Sequence, residues 1–270
     1  MLRKKVNLLD VWIDDISMKD AIFLAYKSLH GGERRCFFTP NLEMISRAMA
    51  EEKEKDLLNS ASVALPDGYG LKIVARIMGK EIKNTVAGID FGEKLLGVAE
   101  KEGANIFLLG GRRGVCEEAS KKLLKKHPRL KICGMFHGYF KKEHEGAVCR
   151  MIEKSGADIL IVCQGFPKQE YFARFVMNKA KNIKVIACLG GSIDVWAGNV
   201  NRAPECIRDM HLEWLWRTAC EPSRCGRLIK SLGAFTGAFE YGFKKIISCG
   251  MKQEKRAYNQ TDICSKRGNL

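Results

Sequence analysis

Gln164-Gly165-Phe166-Pro167-Lys168-Gln169-Glu170 follows directly on the apolar run Asp158–Cys163. A short apolar run, broken by Gly and Pro and followed by polar residues, reads as a buried strand whose loop opens a helix. Pro167 suits the first helical position, where the N–H it lacks is not needed. Lys168, Gln169 and Glu170 then fall on the first turn, beside backbone N–H groups that favour an anion. In an open α/β sheet this strand end is where ligands bind. The duller account is an ordinary strand–helix turn with solvated side chains.

The same grammar recurs along the chain. Arg35–Phe38 runs into Thr39-Pro40-Asn41, Ser62–Leu65 into Pro66-Asp67-Gly68, Asn105–Leu109 into Gly110-Gly111-Arg112-Arg113-Gly114, and Lys184–Leu189 into Gly190-Gly191-Ser192-Ile193-Asp194. Helical patterns lie between them at Leu42–Ala50, Gly68–Met78, Phe91–Lys101, Val115–His127 and Glu143–Ser155. Strands alternating with helices of this length predict βαβ units. The fold expected is therefore α/β, a Rossmann-like, mostly parallel sheet flanked by helices. All the unusual polar residues then collect at one end of the sheet, as one site.

Hydrophobic residues make up 46% and charged residues 29% of the 270, the balance of a globular chain rather than a disordered one. No apolar stretch approaches bilayer-spanning length and residues 1–10 lack a signal-peptide pattern, so a cytoplasmic protein is expected. The 11 cysteines are scattered without a C-x-x-C pair, which favours packed thiols over disulfides or zinc. A net charge of +15 calls for a polyanionic neighbour or serves solubility. The usual nucleic-acid motifs are missing and no nucleic-acid partner is expected; an anionic membrane surface or a diphosphate-bearing substrate suits the charge.

The strand–helix alternation occupies residues 1–200 and stops after Arg202-Ala203-Pro204. Residues 201–250 read as a helical appendage in which aromatics such as Trp214, Trp216, Phe239, Tyr241 and Phe243 interleave with basic residues, a membrane-surface pattern. Packing of Trp214 and Trp216 against the sheet is the structural account of that pair, and self-association through an exposed aromatic face would make a homo-oligomer. Residues 251–270 form a polar, basic tail expected to fray. From 201 onward there are 13 Lys or Arg against 7 Asp or Glu.

Several side chains fit both a chemical and a structural job. Asp67 lies between a strand and Gly68, where a carboxylate can act as general base or cap a helix. Thr39 and Asn41 can contact a ligand or cap the helix at Leu42. Gly110 and Gly111 resemble a phosphate-cradling turn, although glycines alone are a weak signal. Asp194 is a second carboxylate candidate, explained equally by a turn. His137 fits acid, base or ligand as well as an ordinary loop residue. Arg224 and Arg227 share a helical face near Arg217, as a diphosphate clamp or a solvated face would. No D-x-D, H-E-x-x-H or G-x-S-x-G appears, which speaks against a metal-dependent nucleotide-sugar enzyme and a serine hydrolase.

Thr39-Pro40-Asn41, Pro66-Asp67-Gly68, Val86-Ala87-Gly88-Ile89-Asp90, Phe107–Gly111, His137–Phe140, Gly165–Glu170, Gly190–Pro204, Leu212-Glu213-Trp214 and Glu221-Pro222-Ser223-Arg224 together resemble the motifs of the WecG/TagA/CpsF glycosyltransferases. The likeness runs in order from about Val6 to Leu232. It implies a Rossmann-like core with a C-terminal membrane-binding appendage. It also implies inverting transfer, without metal or other cofactor, from a UDP-sugar donor to a polyprenyl-diphosphate-linked sugar at the inner face of the membrane.

Carried over residue by residue, the family's catalytic-base aspartate falls on Asp67. Its active-site threonine, asparagine and glutamine fall on Thr39, Asn41 and Gln169, and its diphosphate-holding arginines on Arg217, Arg224 and Arg227. The transfer implied is of N-acetylmannosamine to lipid-diphospho-N-acetylglucosamine. Glucose or N-acetylmannosaminuronic acid as the sugar is the nearest alternative. One departure stands out: Thr85 occupies a position where the family usually carries Arg, leaving Lys83 or Arg76 to supply that charge. The same departure keeps open a non-catalytic binding relative.

Overall fold

The computed structural model describes residues 3–210, 213, 216, 226 and 231–243. The chain opens with a hairpin, β1 (Lys5–Leu8) and β2 (Val11–Asp14), followed by α1 (Met18–Leu29), β3 (Arg35–Phe38), α2 (Leu42–Ala50), α3 (Glu52–Asn59) and the short β4 (Val63–Ala64). Two helices, α4 (Gly70–Ile77) and α5 (Gly88–Glu102), lead to β5 (Asn105–Gly110), α6 (Val115–Lys126), β6 (Lys131–Phe136) and α7 (Glu145–Lys154). Then come β7 (Ile159–Cys163), α8 (Lys168–Lys179), β8 (Val185–Cys188), α9 (Ser192–Trp196) and α10 (Glu205–Asp209). Residues 231–243 form a C-terminal helix.

Six strands make one sheet in the order β4-β3-β8-β7-β5-β6, every pairing parallel. The reason is legible in β7. Ile159, Ile161 and Cys163 join one core, with Leu95 of α5, Ala119 of α6 and Ile193 of α9, while Leu160 and Val162 join the other, with Ile152 of α7 and Phe172 of α8. A strand buried on both faces must be apolar at every position, as parallel sheets covered by helices require. A third core gathers Leu8, Ile13, Ile45, Leu58 and Val74, closed by Ala234 and Ala238 of the C-terminal helix. That helix therefore packs on the hairpin, α2, α3 and α4.

The α/β reading holds, with differences at the edges. The hairpin turn puts Leu9 and Asp10 at φ 52° and 66° without a glycine, so it lacks the usual turn signal. Its Asp14 is fully buried and accepts from Ala64 N–H at 2.8 Å, satisfying a donor on the outer strand β4. The half-exposed strand β6 was hidden by Gly134, where a Cβ would lie 2.6 Å from the Phe107 ring. Helix α5 starts at Gly88 rather than Phe91, so the Val86–Asp90 segment includes its first turn.

Candidate active site

Because the strands run parallel, their carboxyl ends share one rim, and the loops leaving them are tied to one another. The chain from β5 turns to β6 on one side, and the chain from the adjacent β7 turns to β8 on the other. Diverging connections of this kind open the crevice at which α/β sheets bind ligands. At that point Gly110 admits no side chain: a Cβ would sit 2.3 Å from the Cys163 carbonyl oxygen. Gly111 donates its N–H to the same oxygen at 3.2 Å, and its own carbonyl accepts from Gly138 N–H at 2.9 Å. Gln164 Nε2 donates to Gly138 O at 2.9 Å, closing the link between the β5, β6 and β7 loops.

The β3, β4 and β8 loops join the same rim. Thr39 is buried and its hydroxyl donates to Cys188 O at 3.0 Å. Gly88, at the start of the 15-residue α5, leaves room for the Thr39 side chain, whose Cγ2 would lie 3.1 Å from an added Cβ. Asn41 caps α2, its Oδ1 accepting from Met44 N–H at 3.1 Å, which leaves its amide N–H groups as donors. Asp67 is half-buried and its backbone N–H donates to Pro40 O at 3.1 Å, setting the β4 loop beside the Thr39–Asn41 turn. Gly68 follows at φ 91°, a conformation open to glycine. Asp194 lies in the first turn of α9, its carbonyl accepting from Asn199 N–H at 2.9 Å.

The Gln164–Glu170 stretch is more buried than its polar sequence predicts. Pro167 stands one residue before α8, its carbonyl accepting from Tyr171 N–H, and the Phe166–Pro167 bond is cis. Lys168 does not offer its ammonium to a ligand at the first turn. It donates to Gly138 O at 2.8 Å and Phe140 O at 3.0 Å, holding the His137–Phe140 loop. Gln169 and Glu170 are buried, not solvated, with relative exposures of 2% and 0%. Gln169 Oε1 accepts from Gly190 N–H at 3.0 Å while its Nε2 donates to Glu170 Oε1 at 2.7 Å. Both ends of that amide are thus fixed, and one N–H remains. His137 stacks on Phe136, and its Nδ1 accepts from Tyr139 N–H at 3.2 Å, a turn-stabilising job.

Glu170 is the site residue that sequence reasoning passed over as a first-turn charge. Its Oε2 has no hydrogen-bond partner, and Arg47 pairs with Glu54 close by. Burial raises its carboxyl to about 7, partly offset by the hydrogen bond from Gln169. A carboxyl raised on folding stabilises the fold fully below its unfolded pKa and loses that contribution as pH rises through the folded value. The difference from an ordinary Glu corresponds to on the order of 3 kcal/mol once Glu170 is ionised. Thermal melts are therefore expected to lose stability between about pH 4.5 and 7, and Glu170→Gln, whose amide oxygen still accepts from Gln169, is expected to flatten that decline. Parallel pH profiles for the two proteins would remove Glu170 as the cause.

The seven described cysteines are free, and burial pushes the Cys116 thiol up to about 11, as for packed thiols. Arg217, Arg224, Arg227, Trp214 and the tail at 251–270 lie outside the described residues.

Residues 6–245 match the model of the Glycosyl transferase WecG/TagA/CpsF family. An N-acetylglucosaminyldiphosphoundecaprenol N-acetyl-beta-D-mannosaminyltransferase of Bacillus spizizenii is 32% identical over 232 residues, 85% of this chain and 88% of that protein. Proteins of the same name from Bacillus subtilis and Staphylococcus aureus are 34% and 31% identical, covering 71% and 86% of this chain and 73% and 90% of their own lengths.

Proposed function

The chain belongs to the WecG/TagA/CpsF glycosyl transferase family, and from that premise we propose that it moves N-acetylmannosamine from UDP to polyprenyl-diphosphate-linked N-acetylglucosamine in cell-wall polysaccharide synthesis. A hexosyltransferase is what the family and its named relatives share. The observation that carries the finer reading is the hydrogen-bonded rim that sets Asp67 beside the Thr39–Asn41 turn.

On this reading the Asp67 carboxylate takes the proton of the acceptor hydroxyl as that oxygen bonds to the donor's anomeric carbon. The bond from that carbon to the diphosphate breaks, UDP leaves with the electron pair, and attack from the opposite face inverts the anomeric centre. The free N–H groups of Asn41 and Gln169 orient the sugars, with Thr39 fixing the wall between them. Gly110 and Gly111 let backbone approach the donor diphosphate, and Asp194 borders the same crevice. Arg217, Arg224 and Arg227 are proposed to neutralise the acceptor diphosphate. The test is UDP release with lipid acceptor in the presence of EDTA, across UDP-N-acetylmannosamine, UDP-glucose and UDP-N-acetylmannosaminuronic acid. Preference for the first supports the reading; preference for another donor replaces the sugar, and no release with any donor favours a binding protein.

Membrane attachment is proposed to run through the C-terminal helix. Among the described residues no helix is long and apolar enough to cross a membrane. Leu232, Phe239 and Phe243 are 54%, 62% and 66% exposed and share one helical stripe, opposite the buried Ala234 and Ala238. Such a stripe suits an interfacial helix. Phe239→Ser with Phe243→Ser is expected to lower sedimentation with anionic vesicles at least tenfold without altering the melting temperature. Unchanged sedimentation, with a detergent-sensitive dimer instead, would assign the stripe to self-association.

A further inference from the structure

One face of α4 carries Tyr69, Lys72, Ile73 and Arg76 at the spacing of a single helical stripe, and the segment 80–83 forms the facing wall. Between them lies a pocket of about 380 Å³ lined by Lys72, Arg76, Lys80 and Lys83, with Glu81 its one acidic residue. Glu81 sits 4.0 Å from Lys83 at the exposed end, so among the described residues Lys72, Arg76 and Lys80 have no acidic partner in this lining. Lys80 is fixed as part of the wall, its ammonium donating to Asn7 O at 2.6 Å and lying 4.8 Å from the Tyr241 ring centroid. The Arg76 guanidinium makes no ion pair or hydrogen bond among the described residues, and Lys72 lies 5.9 Å from the Tyr69 ring.

Position gives this charge a direction. The stripe starts two residues after Asp67, at the rim, and from Tyr69 to Arg76 the helix rises about 10 Å. Its far end meets the C-terminal helix, where Lys80 packs on Tyr241 and a Cβ on Gly242 would lie 3.0 Å from Ile77 O. A ligand laid along it meets the Asp67 carboxylate, then Lys72 and Arg76 with the exposed Ile73 between them, then the exposed aromatic side chains of the C-terminal helix. A sugar, a diphosphate and an isoprenoid present complementary groups in that order.

We propose that the groove between α4 and residues 80–83 binds the diphosphate of the lipid-linked acceptor, with Lys72 and Arg76 as its principal contacts. This rests on the acceptor named above and assigns it a route on the sheet domain itself, in addition to the appendage arginines. Lys72 and Arg76 are binding residues and take no proton in the reaction.

The experiment is calorimetric titration of the full-length protein with farnesyl diphosphate, a soluble isoprenoid diphosphate. The proteins compared are wild type, Lys72→Gln, Arg76→Gln, Arg76→Lys and Lys72→Gln/Arg76→Gln. A lost charge-assisted contact to phosphate weakens binding about tenfold or more. Each Gln variant is expected to lose about that factor and the double variant more. Arg76→Lys should recover part of it, with UDP affinity and melting temperature unchanged. Unaltered farnesyl diphosphate affinity in the double variant would overturn the proposal. So would variants that keep that affinity yet no longer bind phosphatidylglycerol vesicles, since the groove would then hold bilayer headgroups. Absence of sugar transfer by the wild type would sink the transferase reading without touching these binding constants, so the two failures read out separately.

Discussion

Replacing Asp67 with alanine is expected to lower sugar transfer by roughly 10²–10⁴-fold, the range that positioned general bases contribute. The fold should survive, because the contact that sets the β4 loop against Pro40 is made by the Asp67 backbone N–H, which alanine keeps. The loss should appear in kcat and kcat/KM together, since the proton moves only as the bond forms. Asp67→Asn is the sharper variant, keeping the side chain's shape and its capacity to accept a hydrogen bond while removing the base. Wild-type turnover in Asp67→Asn would show that the carboxylate only shapes the loop. Full affinity for UDP with turnover lost would place its role at the acceptor hydroxyl.

Gln169→Ala is expected to cost both stability and activity. The amide bridges Gly190 N–H on the β8 loop and the Glu170 carboxyl beneath it. Without it, the Gly190 N–H loses its partner and Glu170 retains no side-chain hydrogen bond in a fully buried position. Leaving buried polar groups unsatisfied costs about 1–3 kcal/mol each, so the melting temperature should fall by several degrees. Transfer should fall at least tenfold, because the loop that follows β8 loses its anchor at the rim. The stability loss should shrink at acid pH, where Glu170 is protonated and less costly to bury. A variant with reduced transfer and an unchanged melting curve would mean that Gln169 serves substrate alone.

The fold was legible where each apolar strand ended in glycine, proline or a small polar residue. Every strand inferred that way lies in the sheet, and the rim follows from parallel order. What escaped has physical reasons. The hairpin turn at Leu9-Asp10 adopts positive φ without glycine, and β6 is half-exposed, so its pattern is not that of a core strand. Side-chain direction was the harder matter. Lys168, Gln169 and Glu170 look like a polar first turn, yet they point inward to Gly138, Gly190 and one another. Sequence spacing does not show that this first turn is buried, because Lys168 and Gln169 bind Gly138 and Gly190, in the loops after β6 and β8, and Gln169 in turn holds the Glu170 carboxyl. The basic groove on α4 was legible only as scattered lysines and arginines until the segment 80–83 was seen to face them.

Isolation of the lipid-linked product tests the central claim most directly. The purified protein would be incubated with UDP-N-acetylmannosamine and short-chain polyprenyl-diphospho-N-acetylglucosamine in EDTA, and the product examined by mass spectrometry and anomeric NMR. The account predicts one added N-acetylhexosamine, in the anomeric configuration opposite to that of the donor. A product that retains the donor configuration, or an acceptor recovered unchanged while another UDP-sugar is transferred, would contradict it.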